Sequence, residues 1–280
     1  MLWERVLIPI DFSITTELLL NWAEKLSAMG LKEAVLLHVV DRNTIEKDRP
    51  QLIKEAKRGL TELEARLEAK SIQVKSRIET GIPSVHIVKI AEEEEVSMLL
   101  MGAIGKGVFK QVIAGSTAFN VARTSKIPVF IVKHYETNNE AIWETKEFEK
   151  ILCPIDFSTC STYMIERLKD HQNHIKGLVL LTVVEKGETQ EEVNKMKENY
   201  LGRLVELGED FYDSGSEIEF LIEEGIASKN IVKVANDKGV ELIVMGMTGE
   251  SFIPSLLLGS TAESVLRASK EPVLFIPYAK

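Results

Sequence analysis

The sequence predicts an α/β protein made of two tandem open parallel sheets with helices on both faces. Three observations carry that prediction. Short apolar runs alternate with amphipathic segments along the whole chain. Runs such as VSMLLMG at 96–102 lack polar alternation, which suits strands buried on both faces of a parallel sheet. A glycine-spaced segment also occurs twice, 144 residues apart, as MGAIGKGVFKQVIAGST from Met101 and MGMTGESFIPSLLLGST from Met245. Gly102, Gly105, Gly115 and Ser116 thereby correspond to Gly246, Gly249, Gly259 and Ser260.

Other blocks repeat in the same order. VLIPIDFS from Val6 recurs as ILCPIDFS from Ile151, LLHVVD from Leu36 as LLTVVE from Leu180, and ETGIPSVHIVKIA from Glu79 as EEGIASKNIVKVA from Glu223. ARTSKIPVFIV from Ala122 recurs as LRASKEPVLFI from Leu266. A period this long makes each repeat a whole domain and not a solenoid turn. The expected domains are 1–133 and 149–280, with a linker at 134–148 that has no counterpart after the second repeat. Trp143 and Phe148 in the linker suggest a segment that packs on a surface.

Within the first repeat, Val6–Ile10, Ala34–Val40, Ile72–Glu79, Ser97–Met101 and Val129–Val132 read as strands. Thr15–Ala28, Gln51–Ala69, Val85–Glu94 and Ser116–Ser125 carry helical periodicity between them. Strand-helix-strand alternation implies right-handed crossovers and a parallel sheet. The second repeat follows, with strands near 151–155, 178–184, 217–223, 240–245 and 273–276.

Composition narrows the function classes. The chain has 280 residues, a formal net charge of -9, 45% hydrophobic and 6% aromatic residues, which argues against broad nucleic-acid binding. No apolar stretch approaches the roughly 20 residues that span a bilayer, and no basic-then-apolar leader is visible. The expectation is a cytoplasmic protein without membrane contact. Cys153 and Cys160 form no CxxC, so neither a disulfide framework nor a zinc site is expected. Cys153 reads as core. His171 and His174 read as a solvated surface pair without a third metal ligand, and the EEEE run at 92–95 as a solvated helix end. His38 lies in the second strand, but Thr182 replaces it in the second repeat.

The glycines point to phosphate chemistry. Gly102 follows the fourth strand at its carboxyl end, where open α/β sheets bind ligands. Glycines there let backbone N–H groups approach a phosphate. Gly115-Ser116-Thr117 precedes a helix, whose N-terminus attracts anions; a glycine turn with an ordinary Ser or Thr cap is the purely structural alternative. Neither a Walker A element nor a first-strand GxGxxG occurs.

The order PxDFS, LLHVVD, MGxxG, nine residues, GST and SKIPVFIV resembles the universal stress protein family, nearly throughout the chain and twice. The GxxG-x9-G[ST] element marks that family's ATP-binding branch. The resemblance implies two five-stranded sheets of order 3-2-1-4-5, Rossmann-like and akin to the adenine nucleotide alpha hydrolases, with an adenine nucleotide (ATP, ADP or AMP) between the ends of strands 1 and 4. It places Pro9 and Asp11, with Pro154 and Asp156, beside the adenosine. Val39 and Val183 would meet the adenine edge, and Met101-Gly102 and Met245-Gly246 would flank the ribose. Gly105, Lys106, Gly115, Ser116 and Thr117 would hold phosphates in the first copy, and Gly249, Gly259, Ser260 and Thr261 in the second. Mg²⁺ or Mn²⁺ would bridge phosphates, with Asp11 as one contributor. Lys106 and Lys110 become Glu250 and Pro254 in the second copy, so that site is expected to take fewer phosphates; Ile104 stands where relatives often carry a polar or basic residue. No catalytic base accompanies the loop, so a sensor or regulator in stress response is the leading reading. A slow ATPase or nucleotidyl-transfer enzyme and a scaffold with a vestigial second site are the alternatives. The last strands, in Val129–Tyr135 and Val273–Ala279, are expected to pair the two repeats as an intrachain pseudo-dimer, with a homodimer of chains and an unknown protein partner beyond it.

Overall fold

The computed structural model describes residues 2–103, 115–133, 147–185, 189–212, 214–249 and 258–278. The chain divides into two compact units, Met1–Lys146 and Glu147–Lys280. The first contains β1 (Arg5–Pro9), α1 (Thr15–Ala28), β2 (Glu33–Asp41), α2 (Arg49–Glu68), β3 (Gln73–Gly81), α3 (Pro83–Glu93), β4 (Met98–Gly102), α4 (Ser116–Thr124) and β5 (Val129–Val132). Its strands run parallel in the order β3-β2-β1-β4-β5. The second contains β6 (Ile151–Pro154), α5 (Thr159–Lys169), β7 (Gly177–Val184), α6 (Gln190–Tyr212), β8 (Glu217–Glu224), α7 (Ala227–Lys238), β9 (Leu242–Gly246), α8 (Ser260–Ala268) and β10 (Val273–Ile276). Its order is β8-β7-β6-β9-β10, again parallel.

The central strands are the continuous apolar runs. Leu7, Ile8, Leu99, Leu100 and Ile131 are sealed in the first unit, as are Leu152, Cys153, Ile243, Val244 and Phe275 in the second. Burial pushes the Cys153 thiol well above its ordinary range, so it is an inert core residue. Trp22 of α1 meets Phe130 edge-on at 4.8 Å.

Strand beginnings shift from the sequence reading for one recurring reason. Leu31, Ile72, Val96 and Val240 each donate their N–H back to a carbonyl five residues earlier, at Leu26, Leu67, Ala91 and Ala235. A left-handed residue precedes each of them: Gly30, Ser71, Glu95 and Gly239. This is the Schellman closure, in which the apolar residue packs back onto the helix. Ile72 and Val240 therefore belong to helix ends, and β3 and β9 begin at Gln73 and Leu242.

Three other readings change. Phe148, assigned to the linker, is buried and forms a β-bridge with Ile175, inside the second unit. His171 is not a solvated surface residue, being only 2% exposed. Within the acidic run Glu94 is buried and accepts from Arg5, Lys75 and Arg77; these contacts, led by the Lys75 hydrogen bond, hold its carboxyl below the usual range.

Candidate functional site

In both units the first strand stops early and leaves a crevice at the reversal of strand order. β1 pairs with β4 only at Val6↔Met98 and Leu7↔Leu99, whereas it pairs with β2 as far as Pro9↔Leu37. Ile10 N–H bonds Leu37 O at 2.8 Å, and donors alternate sides along a strand. Position 9 would therefore donate toward β4, and Pro9 has nothing to donate. Pro154 repeats the arrangement: β6 pairs with β9 only at Ile151↔Leu242 and Leu152↔Ile243, and Ile155 N–H bonds Leu181 O at 2.7 Å. The prolines thus end one ladder and let the strands part.

The chain then turns on itself. Asp11 accepts the Ser13 N–H at 3.0 Å, and Asp156 accepts the Ser158 N–H at the same distance. The residues between, Phe12 and Phe157, sit in the left-handed region at φ of 55° and 60°. Asx-turns of this kind hold a carboxylate at a defined place above the strand end. Asp156 Oδ1 also accepts from Ser158 Oγ at 2.6 Å and Ser161 Oγ at 2.7 Å, and Ser158 caps α5. The aspartates are therefore anchors of a turn; in the second unit Ser158 does the capping, whereas the N-cap of α1 is Ile14.

Sequence comparison made His38 and Thr182 look unrelated, but they do the same work. The His38 ring bonds Ile10 O through Nδ1 at 2.7 Å, and Thr182 Oγ1 donates to Ile155 O at 3.0 Å. Each ties the second strand to the residue before the aspartate. A carbonyl can only accept, so His38 carries its proton on Nδ1. Val39 and Val183 follow directly, half-buried on β2 and β7 beyond the last residues paired with β1 and β6.

The opposite wall comes from the fourth strand. Met101 and Met245 are buried, and Gly102 and Gly246 end β4 and β9. A Cβ on Gly246 would lie 2.7 Å from Cys160 Sγ, so this glycine is required by packing of α5. Gly249 has a different neighbour: a Cβ there would lie 2.6 Å from Asp156 Oδ2. The aspartate turn and the glycine loop therefore meet in the second unit. Gly105 and Lys106, with Ile104, Lys110, Glu250 and Pro254, lie outside the described residues.

The loops end on helix N-termini with glycine at the N-cap. Gly115 N–H bonds Ala103 O at 2.6 Å, and Gly259 N–H bonds Met247 O at 2.7 Å, which ties each loop's end to its beginning. Gly115 and Gly259 are the N-caps of α4 and α8 and, as glycines, bring no capping side chain of their own. Ser116 and Ser260 are exposed, with Thr117 and Thr261 half-buried beside them. Their hydroxyls are not consumed as N-caps, contrary to the structural alternative, and the first-turn N–H groups keep their anion-binding character.

Each unit thus has an aspartate turn, a second-strand end beyond the first strand's pairing, a glycine at the fourth-strand end and a glycine-capped helix after the loop, on the strands that flank the reversal of order. The universal stress protein family model matches residues 3–133 and again 147–277. The chain belongs to the universal stress protein family. It carries two of that family's domains, and the family supports a role in stress response.

A universal stress protein of Archaeoglobus fulgidus has a similar structure over 100% of this chain and 99% of its own, with 26% identity and a TM-score of 0.73. Universal stress protein MJ0577 of Methanocaldococcus jannaschii is 32% identical over 155 residues, covering 47% of this chain and 96% of its own length. Universal stress protein Rv2005c of Mycobacterium tuberculosis is 24% identical over 224 residues, 73% of this chain and 69% of its own. No helix among the described residues is long and apolar enough to cross a membrane.

Proposed function

We propose that each crevice binds one adenine nucleotide, ATP, ADP or AMP, and that this universal stress protein acts as a nucleotide-linked sensor. The observation that carries the reading is the close approach of the Asp156 carboxylate to Gly249, where a Cβ would lie 2.6 Å from Oδ2; it brings a group suited to a ribose or adenine beside a loop that ends on a glycine-capped helix N-terminus. Asp11 and Asp156, with the backbone at Val39 and Val183, would meet the nucleoside. The first turns of α4 and α8, with Gly105, Lys106, Gly115, Ser116 and Thr117 or Gly249, Gly259, Ser260 and Thr261, would meet phosphates. Among the described residues no group of three or more His, Cys, Asp or Glu could hold a metal; Mg²⁺ or Mn²⁺ would enter on the phosphates, with Asp11 as its protein contact.

The two sites differ in charge. Lys106 and Lys110 in the first loop become Glu250 and Pro254 in the second. The first turn of α8 also carries Glu263, paired with Arg267 at 3.1 Å, where α4 has Phe119. A carboxylate near a helix N-terminus competes with an anionic ligand, so the second site favours fewer phosphates.

Calorimetric titration of the full chain tests both points. Two sites are expected, with ATP and AMP separated mainly at the second. Gly115→Val removes the first. Gly249→Ala, whose new methyl displaces the Asp156 carboxylate, removes the second. A chain that gives no heat with any of the three nucleotides, and no change in melting, overturns the reading.

A further inference from the structure

The residue between each aspartate and its serine is an aromatic in a backbone conformation that bulky side chains disfavour. Phe12 and Phe157 lie in the left-handed region, at φ of 55° and 60°, where a Cβ crowds the backbone. Such a conformation persists only where its surroundings hold it. Both rings are half-buried, and each is held by different neighbours. In the first unit the Phe12 ring centroid lies 5.1 Å from that of His38 on β2. The ring also presses on α2, so closely that a Cβ on Gly59 would be 2.5 Å from Cε1. In the second unit the Arg203 guanidinium of α6 lies over the Phe157 ring, 3.8 Å from its centroid. Tyr200 of the same helix lies 5.1 Å from Phe157, centroid to centroid.

The duplication shows these neighbours trading bulk. At an offset of 144, Ala56 and Gly59 of α2 correspond to Tyr200 and Arg203 of α6, and His38 of β2 corresponds to Thr182 of β7. The first unit has its large group on the strand and small residues on the helix; the second has the reverse. The ring keeps a partner in both. His38 thereby holds both residues that flank Asp11, through its Nδ1 bond to Ile10 O at 2.7 Å and its contact with Phe12. In the second unit the two tasks are divided: Thr182 holds Ile155 O, and Tyr200 with Arg203 holds Phe157. A ring that merely filled the seam between helix and sheet would not need a left-handed backbone inside the aspartate turn.

We propose that Phe12 and Phe157 are positioning residues that fix the Asp11 and Asp156 carboxylates for the nucleoside, with Gly59 of α2 and Arg203 of α6 as the helix groups that seat the rings. They act through the turn and not on the ligand. A turn seated in advance spares the ligand the cost of ordering it. Their bearing on the ligand rests on the nucleotide sites proposed above; the seating of the turns does not.

Amide hydrogen exchange of the ligand-free full chain, read by NMR, tests the seating, because the Ser13 and Ser158 N–H groups are the donors of the two turns. Gly59→Ala is expected to speed exchange at Ser13 about tenfold and to leave Ser158 unchanged. Arg203→Ala is expected to speed exchange at Ser158 about fivefold and to leave Ser13 unchanged. Alanine inside a helix is ordinarily more stable than glycine. A faster Ser13 amide in Gly59→Ala, with the amides of β2 at wild-type rates, is therefore a result that lost stability would not give. Calorimetric titration with AMP should show each variant weakening its own site by a similar factor, with the other site at wild-type strength. Wild-type exchange at both serines, or acceleration that extends through β2 or β7, overturns the seating. Faster exchange with AMP affinity unchanged at both sites overturns the positioning role. A wild-type chain that binds no AMP overturns the nucleotide reading instead, and exchange still decides the seating.

Discussion

At the scale of single residues, burial changes chemistry in ways that spacing conceals. His171 stands three before His174, a spacing that reads as a helical surface pair, yet it is 2% exposed just beyond the end of α5. Burial pushes its pKa down from 6.5 to about 4, because the charged ring loses its hydration. A depressed histidine pKa favours the neutral form in the folded state, so its contribution is complete above pH 6.5. As pH falls from 6.5 toward 4 the unfolded chain binds the proton first and stability declines; below about 4 the loss levels off. The expected loss is on the order of 2 kcal/mol. Urea unfolding of wild type and His171→Asn across this range measures it as a difference, which cancels the carboxylates common to both. Parallel pH profiles would show that His171 does not titrate this way. His38 and Thr182 teach the converse lesson: dissimilar residues perform one hydrogen bond because both reach the same carbonyl, a fact that three-dimensional position supplies and residue type does not.

At the scale of elements, pairs of positions persist while their chemistry is exchanged. Lys75 of β3 bonds Glu94 at 2.7 Å, just past the end of α3. At the corresponding positions of the second unit Glu219 of β8 pairs with Lys238 of α7. The signs are reversed, and the strand-to-helix clasp survives. Their environments differ: Glu94 is 7% exposed and shared with Arg5 and Arg77, whereas Lys238 and Glu219 are 34% and 40% exposed. Removing the Glu94 carboxylate takes a buried acceptor from three cations at once, although Arg5 keeps Glu33 and Arg77 keeps Glu79 and Glu93, while an exposed pair is worth little. Glu94→Gln is therefore expected to cost about 2 kcal/mol and Lys238→Gln under about 1 kcal/mol, by denaturant unfolding of the full chain. Equal costs would mean that the network around Glu94 adds nothing to one pair. Most elements were legible because central strands are unbroken apolar runs and helices are amphipathic. Their starts were less so, since Ile72 and Val240 are as apolar as strand residues but serve helix closures set by Ser71 and Gly239. Glu94 was misread because its cations come from β1 and β3, far away in sequence.

At the scale of the molecule, duplication gives two strand-order reversals on one plan, and the proposed nucleotide sites would report through ligand linkage. The glycine frame could be read from repeated spacing alone, whereas the turns made by Asp11 and Asp156 emerged only in the structure. The roles of Pro9 and Pro154 as ladder terminators, and of Gly246 as the seat of Cys160, depend on which strand lies alongside and so emerged only in three dimensions. A nucleotide that binds only the folded unit stabilises it by about 2.7 kcal/mol at a hundredfold excess over its dissociation constant. For units of this size that raises melting by roughly 10 °C. Because the second loop trades two lysines for Glu250 and Pro254, AMP is expected to stabilise both units, while ATP stabilises chiefly the first. Scanning calorimetry of the full chain reads this directly: AMP moves the whole unfolding envelope, and ATP moves the part that Gly115→Val renders insensitive. If ATP and AMP shift the envelope alike, and Gly115→Val and Gly249→Ala each remove an equal share, charge in the second loop does not govern phosphate number. The sites would then be equivalent copies, and the sensor would respond to total adenine nucleotide and not to its phosphorylation.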